Sequence, residues 1–389
     1  MKYNFDKVID RSGTSAEKVE GLKHIWGRTD LIPLWVADMD FATAPFVTDA
    51  IRKRCENEVL GYTGKPDSYY NAIINWVKQR YDLIVTKEVI NFVPGIVPGI
   101  GMAMNCFTQK GDKVMIQPPV YHPFAWVTTR NERTLVINPL KWENGMYRMD
   151  LDAFREQIKG CKLFILCNPH NPGGVVWTEA ELRAIADICY DEKVLVFSDE
   201  IHADLTLPPH THRPFATVSE KARMNSVTFM SPSKAFNMPG LSASHALIFN
   251  EDLRKRFRIY MDAGELDMGH VFAFLSVEAA YSHGTEWLDQ CLAYIQGNID
   301  FVDEFLKKHA PKIKAIRPEA SYLVWLDCRE LELSQKDLNE FFVDKAHLAL
   351  NDGEMFGKEG IGFMRLNVAS PRCIIEKAMK HWRMLINYI

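Results

Sequence analysis

Short apolar runs alternate with helical stretches through the middle of this 389-residue chain, and that alternation restricts the fold more than any other feature. Residues 113–117, 134–137, 162–167, 194–198, 227–230 and 245–249 read as strands, apolar throughout rather than at every second position. Helical patterns over 121–129, 151–158 and 178–189 separate the earlier strands, the last opened by Thr178 with Glu181 three residues on. Strands that are apolar on both faces and joined through helices belong in a mainly parallel sheet covered on both sides. In such a sheet a ligand sits beyond the carboxyl ends of the strands, so polar residues at those ends are the candidates for function.

The chain is longer than one compact core usually covers, and its two ends depart from the alternation. Residues 1–30 are polar and irregular, an arm; 31–41 are apolar and end in acids, a short strand and loop. Helices are predicted over 45–59 and 70–81, with Gly61-Tyr-Thr-Gly64 as a turn between them. Beyond residue 265 come an apolar helix over 272–281, a long helix over 285–309, strands at 322–326 and 363–368, and helices near 334–346 and 372–388. The expectation is an α/β protein: a large domain over 46–284 built on the mainly parallel sheet, and a smaller α/β domain over 285–389. Residues 1–45 form an arm and part of the smaller domain.

Composition narrows the function classes. With 47% hydrophobic and 25% charged residues the chain matches a soluble globular protein, and its formal charge of −4 leaves no basic footprint for nucleic acid. No run is long enough to span a bilayer, and the first residues lack the apolar core of a signal peptide. Eight cysteines are scattered with no C-x-x-C pair, as in the reduced thiols of a cytoplasmic protein. His202, His210 and His212 lie close in sequence, but no acid or thiol spacing completes a set of ligands, so no metal is expected.

Polar groups gather where the apolar strands stop. Ser231-Pro-Ser-Lys234 follows the strand 227–230; a lysine held there and partly desolvated is suited to Schiff-base formation and proton transfer. Asp199-Glu-Ile-His202 ends the strand 194–198, and Asn168-Pro-His-Asn171-Pro-Gly-Gly ends the strand 162–167. Pro94-Gly-Ile-Val-Pro98 leads into a helix whose first free amides, those of Ile96 and Val97, would cradle a phosphate. It is not a dinucleotide fingerprint, because G-x-G-x-x-G would need glycine where Met104 stands. Arg365 is a charge inside an apolar strand and calls for a carboxylate or phosphate.

Assembled, these motifs resemble the pyridoxal-phosphate enzymes of the aspartate-aminotransferase fold (fold type I), across nearly the whole chain. The stretch Pro33-Leu-Trp-Val-Ala-Asp-Met-Asp-Phe41, the His202 after Asp-Glu-Ile, and Ser231-Pro-Ser-Lys-Ala-Phe-Asn are similar to the MalY/PatB-type branch of cystathionine β-lyases and C–S lyases. The resemblance implies pyridoxal 5'-phosphate as cofactor, with Lys234 as its Schiff-base lysine and proton carrier. Asp199 matches the carboxylate at the pyridine nitrogen, Asn171 the amide at the ring 3-oxygen, and Tyr121 the aromatic stacked on the ring. His202 stands where many aminotransferases have tyrosine. Ser231, Ser233 and the Ile96 and Val97 amides match phosphate contacts, Tyr62 a phosphate contact from the second subunit of a homodimer, and Arg365 the arginine that binds the substrate carboxylate. Where aminotransferases place a phosphate-binding arginine after the lysine, this chain reads Pro239-Gly-Leu-Ser-Ala-Ser244, as the lyase branch does.

The resemblance implies α,β-elimination on a sulfur amino acid such as cystathionine or a cysteine S-conjugate, giving a thiol, pyruvate and ammonia. Lys234, Asp199 and Tyr121 are the expected catalytic set. Two other readings stay open: an aminotransferase, and a cofactor-bound protein whose task is to contact a transcription factor.

Overall fold

The computed structural model describes residues 3–383. Its largest sheet has seven strands: β1 (Ile90–Val93), β2 (Lys113–Ile116), β3 (Thr134–Ile137), β4 (Cys161–Cys167), β5 (Leu195–Asp199), β6 (Ser226–Met230) and β7 (Ser244–Leu247). Their order is β1-β7-β6-β5-β4-β2-β3. Neighbours from β6 to β3 pair in parallel, while β7 runs antiparallel to both β6 and β1. The sheet is therefore mixed and mostly parallel. Its central strands are buried along nearly their whole length, Lys162 near the start of β4 being exposed, which explains their largely apolar sequences.

The register carries the polar ends together. Cys167 pairs with Asp199 and Asp199 with Phe229, so β4, β5 and β6 stop at one level. The antiparallel β7 begins at that same edge, because Ser244 pairs with Val93 at the end of β1.

A second sheet, wholly antiparallel, has the order β8-β9-β11-β10, where β8 is Lys314–Ile316, β9 Leu323–Asp327, β10 Asn351–Asp352 and β11 Phe363–Asn367. The 25-residue helix Thr285–His309 leads to it from the first sheet. Ile32–Pro33 returns from the N-terminal region to pair in parallel with Leu348–Ala349.

Several boundaries shift for identifiable reasons. The helix expected over 121–129 is Pro123–Arg130: proline takes its first turn, and Tyr121 stays outside on the strand-end loop. The helix read over 45–59 ends at Cys55. Thr178 caps Glu179–Asp191 through a reciprocal capping box with Glu181. The helix read over 334–346 is Gln335–Glu340 followed by a wider π-type turn, Phe341–Lys345. The helix read over 372–388 is seen as Arg372–Arg383, and its remaining residues lie outside the described ones.

The arm is more ordered than its composition suggests. Glu17–Trp26 is a helix with Glu17 and Glu20 in its first turn, closed by Gly27 in the left-handed conformation (φ 66°). Glu251–Asp262, a highly charged helix capped by Asn250, was not expected either.

Candidate active site

The ends of β4, β5 and β6, the turn after β1, and the start of β7 enclose a cavity of about 210 Å³, room for one small ligand. Lys234, Asp199, Asn171, His202, Tyr121, Ile96, Val97 and Ser233 all line it. Ser231 does not. It lies behind the wall, where its hydroxyl accepts the Ser233 N–H (3.1 Å) and donates to the Ala243 carbonyl (2.8 Å).

Each group is held by the backbone that delivers it. Asp199, the last residue of β5, accepts the Ile201 N–H at 3.1 Å. Burial raises its carboxyl to about 7, and neighbouring Glu200 adds to the effect. Lys234 follows β6 and donates its ammonium to the Ala37 carbonyl, which also accepts the Tyr322 hydroxyl at 3.0 Å. Burial and the Arg365 charge lower the Lys234 amine to about 8. His202 is buried with no partner at Nδ1, and desolvation depresses it to about 3, so it is neutral at physiological pH.

Gly95 precedes the helix Ile96–Phe107 with φ 137°, a conformation side chains rarely adopt. The first intrahelical bond recorded there is Gly99 N–H to the Gly95 carbonyl, and Pro98 has no N–H. The amides of Ile96 and Val97 are thus the free donors of this terminus, and both residues face the cavity. Ser233, Ser242 and Ser244 line the same cavity.

Arg365 sits on β11 in the second sheet, 3% exposed and just outside the cavity lining. It donates to the side-chain oxygens of Asn171 (3.0 Å) and Asn351 and to the Trp35 carbonyl (3.2 Å), and its plane lies over the Phe356 ring. These partners are neutral. Its Nε is buried with no partner, and burial lowers the guanidinium to about 10, still cationic near neutral pH. A buried cation with an unfilled donor is a site for an anion. The same bond turns the oxygen of Asn171 toward Arg365 and leaves its amide nitrogen to serve a ligand.

This donor set fits pyridoxal phosphate: a buried carboxylate for a ring nitrogen, an amide N–H for a ring oxygen, free helix-terminal amides and hydroxyls for a phosphate, and a desolvated amine. Tyr62 is not part of this gathering. It is 98% exposed on the irregular segment after Cys55.

Several residues of the surroundings escaped sequence reasoning. Ser242 and Ser244 reach the cavity only because β7 is antiparallel, which no local pattern announces. Ala37 carries no side-chain signal, and Asn351 lies on a two-residue strand. Cys167 lines the cavity, its thiol pushed well up by burial, and its sulfur accepts the Asn171 N–H at 3.3 Å. His122 was readable as the neighbour of Tyr121; its ring meets Trp126 and Phe356. His212 is committed elsewhere, bonded to the buried Glu200 at 2.8 Å.

A model of the family described as aminotransferase class I and II matches residues 29–380. The cystathionine beta-lyase PatB of Bacillus subtilis (strain 168) is 38% identical over 97% of this chain and 98% of its own length. Cystalysin from Treponema denticola, whose crystal structure contains a pyridoxal 5'-phosphate cofactor, superposes with a TM-score of 0.96 at 33% identity, covering 100% of both chains. The C-S lyase of Staphylococcus hominis, in its PLP-bound structure, does so with a TM-score of 0.91 at 35% identity, covering 99% of this chain and 98% of that one.

Proposed function

The chain belongs to the class I and II aminotransferase family, and from that premise we propose that it is a pyridoxal-phosphate-dependent C–S β-lyase. It cleaves cystathionine or related cysteine S-conjugates to a thiol, pyruvate and ammonia. The observation that carries the reading is one cavity in which Lys234, Asp199 and Asn171 meet, with the cationic Arg365 bonded behind Asn171.

Pyridoxal phosphate, when bound, supplies an electron sink that makes the Cα proton of an amino acid acidic. Asp199 would keep the ring nitrogen protonated, Asn171 would donate to the ring oxygen, Tyr121 would cover the ring, and His202 would add a neutral wall. The Ile96 and Val97 amides and the Ser233 hydroxyl would hold the phosphate, with Ser231 bracing Ser233. Lys234 would anchor the cofactor and, with its amine lowered to about 8, would take the Cα proton near neutral pH. Arg365 would hold the substrate carboxylate by its charge and its unfilled Nε donor and so orient the Cα–H bond toward that amine.

The test is an assay of L-cystathionine without any keto acid. Pyruvate release makes the protein a lyase. If instead the cofactor bleaches, no pyruvate forms and a keto acid restores the colour, it is an aminotransferase and this reading fails.

Burial of Asp199 yields a pH prediction. Its folded pKa of about 7 exceeds the ordinary 3.8, so ionising it costs stability that grows as pH rises between those values and is constant above. A protonated ring nitrogen opposite the carboxylate cancels that cost. The Tm difference between cofactor-loaded and cofactor-stripped protein is therefore expected to widen from about pH 5 to about pH 7.5, and to widen less in Asp199→Asn. Equal widening in both proteins would count against the pairing.

The functional unit is proposed to be a homodimer in which Tyr62 reaches the partner's phosphate site. Its near-complete exposure on an irregular segment, beside exposed Val59 and Leu60, supports this. Sedimentation equilibrium should give twice the chain mass; a monomer at micromolar concentration would refute it. Among the described residues no helix is long and apolar enough to cross a membrane, and all eight cysteines are free thiols. A cytoplasmic location is proposed on the thiols, and a thiol titration finding fewer than eight in freshly isolated protein would oppose it.

A further inference from the structure

The segment Trp35–Phe41 crosses the active site as a strap between two cavities. Ala37 lines the catalytic one, while Asp38 and Asp40 line an outer groove that shares Pro239 with it. Its backbone is clamped along its length. Asn367 donates to the carbonyls of Val36 and Asp38, and Asn237 bonds Met39 N–H and the carbonyls of Met39 and Phe41.

The strap's two carboxylates are met by two cations of the N-terminal arm. Arg11 forks onto Asp38 at 2.6 and 3.2 Å and reaches Asp40 at 3.1 Å. Lys18, fully buried on the helix Glu17–Trp26, bonds Asp40 at 2.8 Å and stands 3.6 Å from Asp38. A lysine with no exposed surface is rare unless paired, and here both of its partners belong to the strap. The backbone immediately before Asp38, at Ala37, is where the Lys234 amine bonds.

We propose that Arg11 and Lys18 are positioning residues for Lys234: by holding Asp38 and Asp40 they fix the Ala37 carbonyl and set how much of the Asp38 charge the Lys234 amine feels. This rests on Lys234 being the reactive amine. The charged groups facing that amine are Arg365, which disfavours the ammonium, and Asp38 and Asp199, which favour it. Tyr322 shares its carbonyl acceptor, and His202 beside it is neutral. Arg11 meets Asp38 in the outer groove, whereas Lys234 lines the catalytic cavity. Removing Arg11 exposes the amine to more negative charge, whereas removing the Asp38 charge does the reverse.

Lys18 variants risk misfolding because the side chain is fully buried, so the test uses Arg11→Ala and Asp38→Asn in the full-length protein stripped of cofactor. Competitive acetylation with trace acetic anhydride across pH, read by mass spectrometry on the peptide carrying Lys234, gives the midpoint of that one amine without any turnover. Arg11→Ala is expected to move it up and Asp38→Asn to move it down, each by about one pH unit. Arg11→Lys should restore the original midpoint. Unmoved midpoints, or shifts of the same sign in both variants as mere loosening would produce, overturn the proposal. Failure of the underlying reading shows separately, as visible absorbance persisting in cofactor-loaded Lys234→Ala.

Discussion

Lys234→Ala is expected to lose the visible absorbance of the cofactor-loaded protein and to release pyruvate at least about 10²–10⁴-fold more slowly, the range for removing a positioned acid–base group. In the proposed reading the lysine combines two tasks, anchoring the cofactor and moving the Cα proton, and among the described residues no other amine lines the cavity to replace it. Because the side chain is half-buried and bonded to Ala37, alanine also removes packing beneath the strap, so melting temperature must be measured alongside. A folded Lys234→Ala protein that keeps both its colour and more than a tenth of its activity would remove this residue from the mechanism.

The second large effect is expected at Arg365. Arg365→Ala takes away a buried cation whose partners are neutral oxygens, so the substrate carboxylate would enter without its counter-charge. Truncating one side of a buried charged pair costs about 2–5 kcal/mol, which is roughly thirtyfold to a few thousandfold in kcat/KM. Most of the loss should fall on KM, because the carboxylate is held in ground state and transition state alike. A second consequence separates this role from mere packing. The Arg365 charge lowers the Lys234 amine, so the limb of the pH–rate profile that reports this amine should move up in Arg365→Ala. A variant with kcat/KM within threefold of the parent and an unmoved pH profile would leave the carboxylate without this partner.

How much of this was legible in the sequence follows from where each residue stands. Lys234, Asp199 and Asn171 terminate continuous apolar runs, and parallel neighbours bring such ends to one edge without further information. Arg365 was conspicuous as a charge inside an apolar strand, although sequence alone did not reveal that Asn171 and Asn351 would hold it. Ala37, Ser242 and Ser244 were invisible for a different reason: they reach the site through chain direction and backbone position, which leave no mark on residue type. The arm was misread because its polar residues, Arg11 and Lys18 among them, bond to carboxylates 22 to 29 residues away. Composition sees only an irregular charged segment. Gly27, a helix-ending residue, was the local signal available.

The antiparallel β7 has a mechanical consequence. Residues 231–243, which carry Lys234, leave β6 and re-enter the sheet beside it, and Ser231 is bonded to the Ala243 carbonyl across the base of that loop. The lysine thus rides on a short closed tether whose two feet are neighbouring strands, rather than on a lid. Swinging the amine from one bond to the next then needs only torsions of its own four-carbon stem. Such rotations are local to one side chain and require no opening of the loop, whose motions run from nanoseconds to microseconds. The proton carrier can keep time with the chemistry while its backbone stays still.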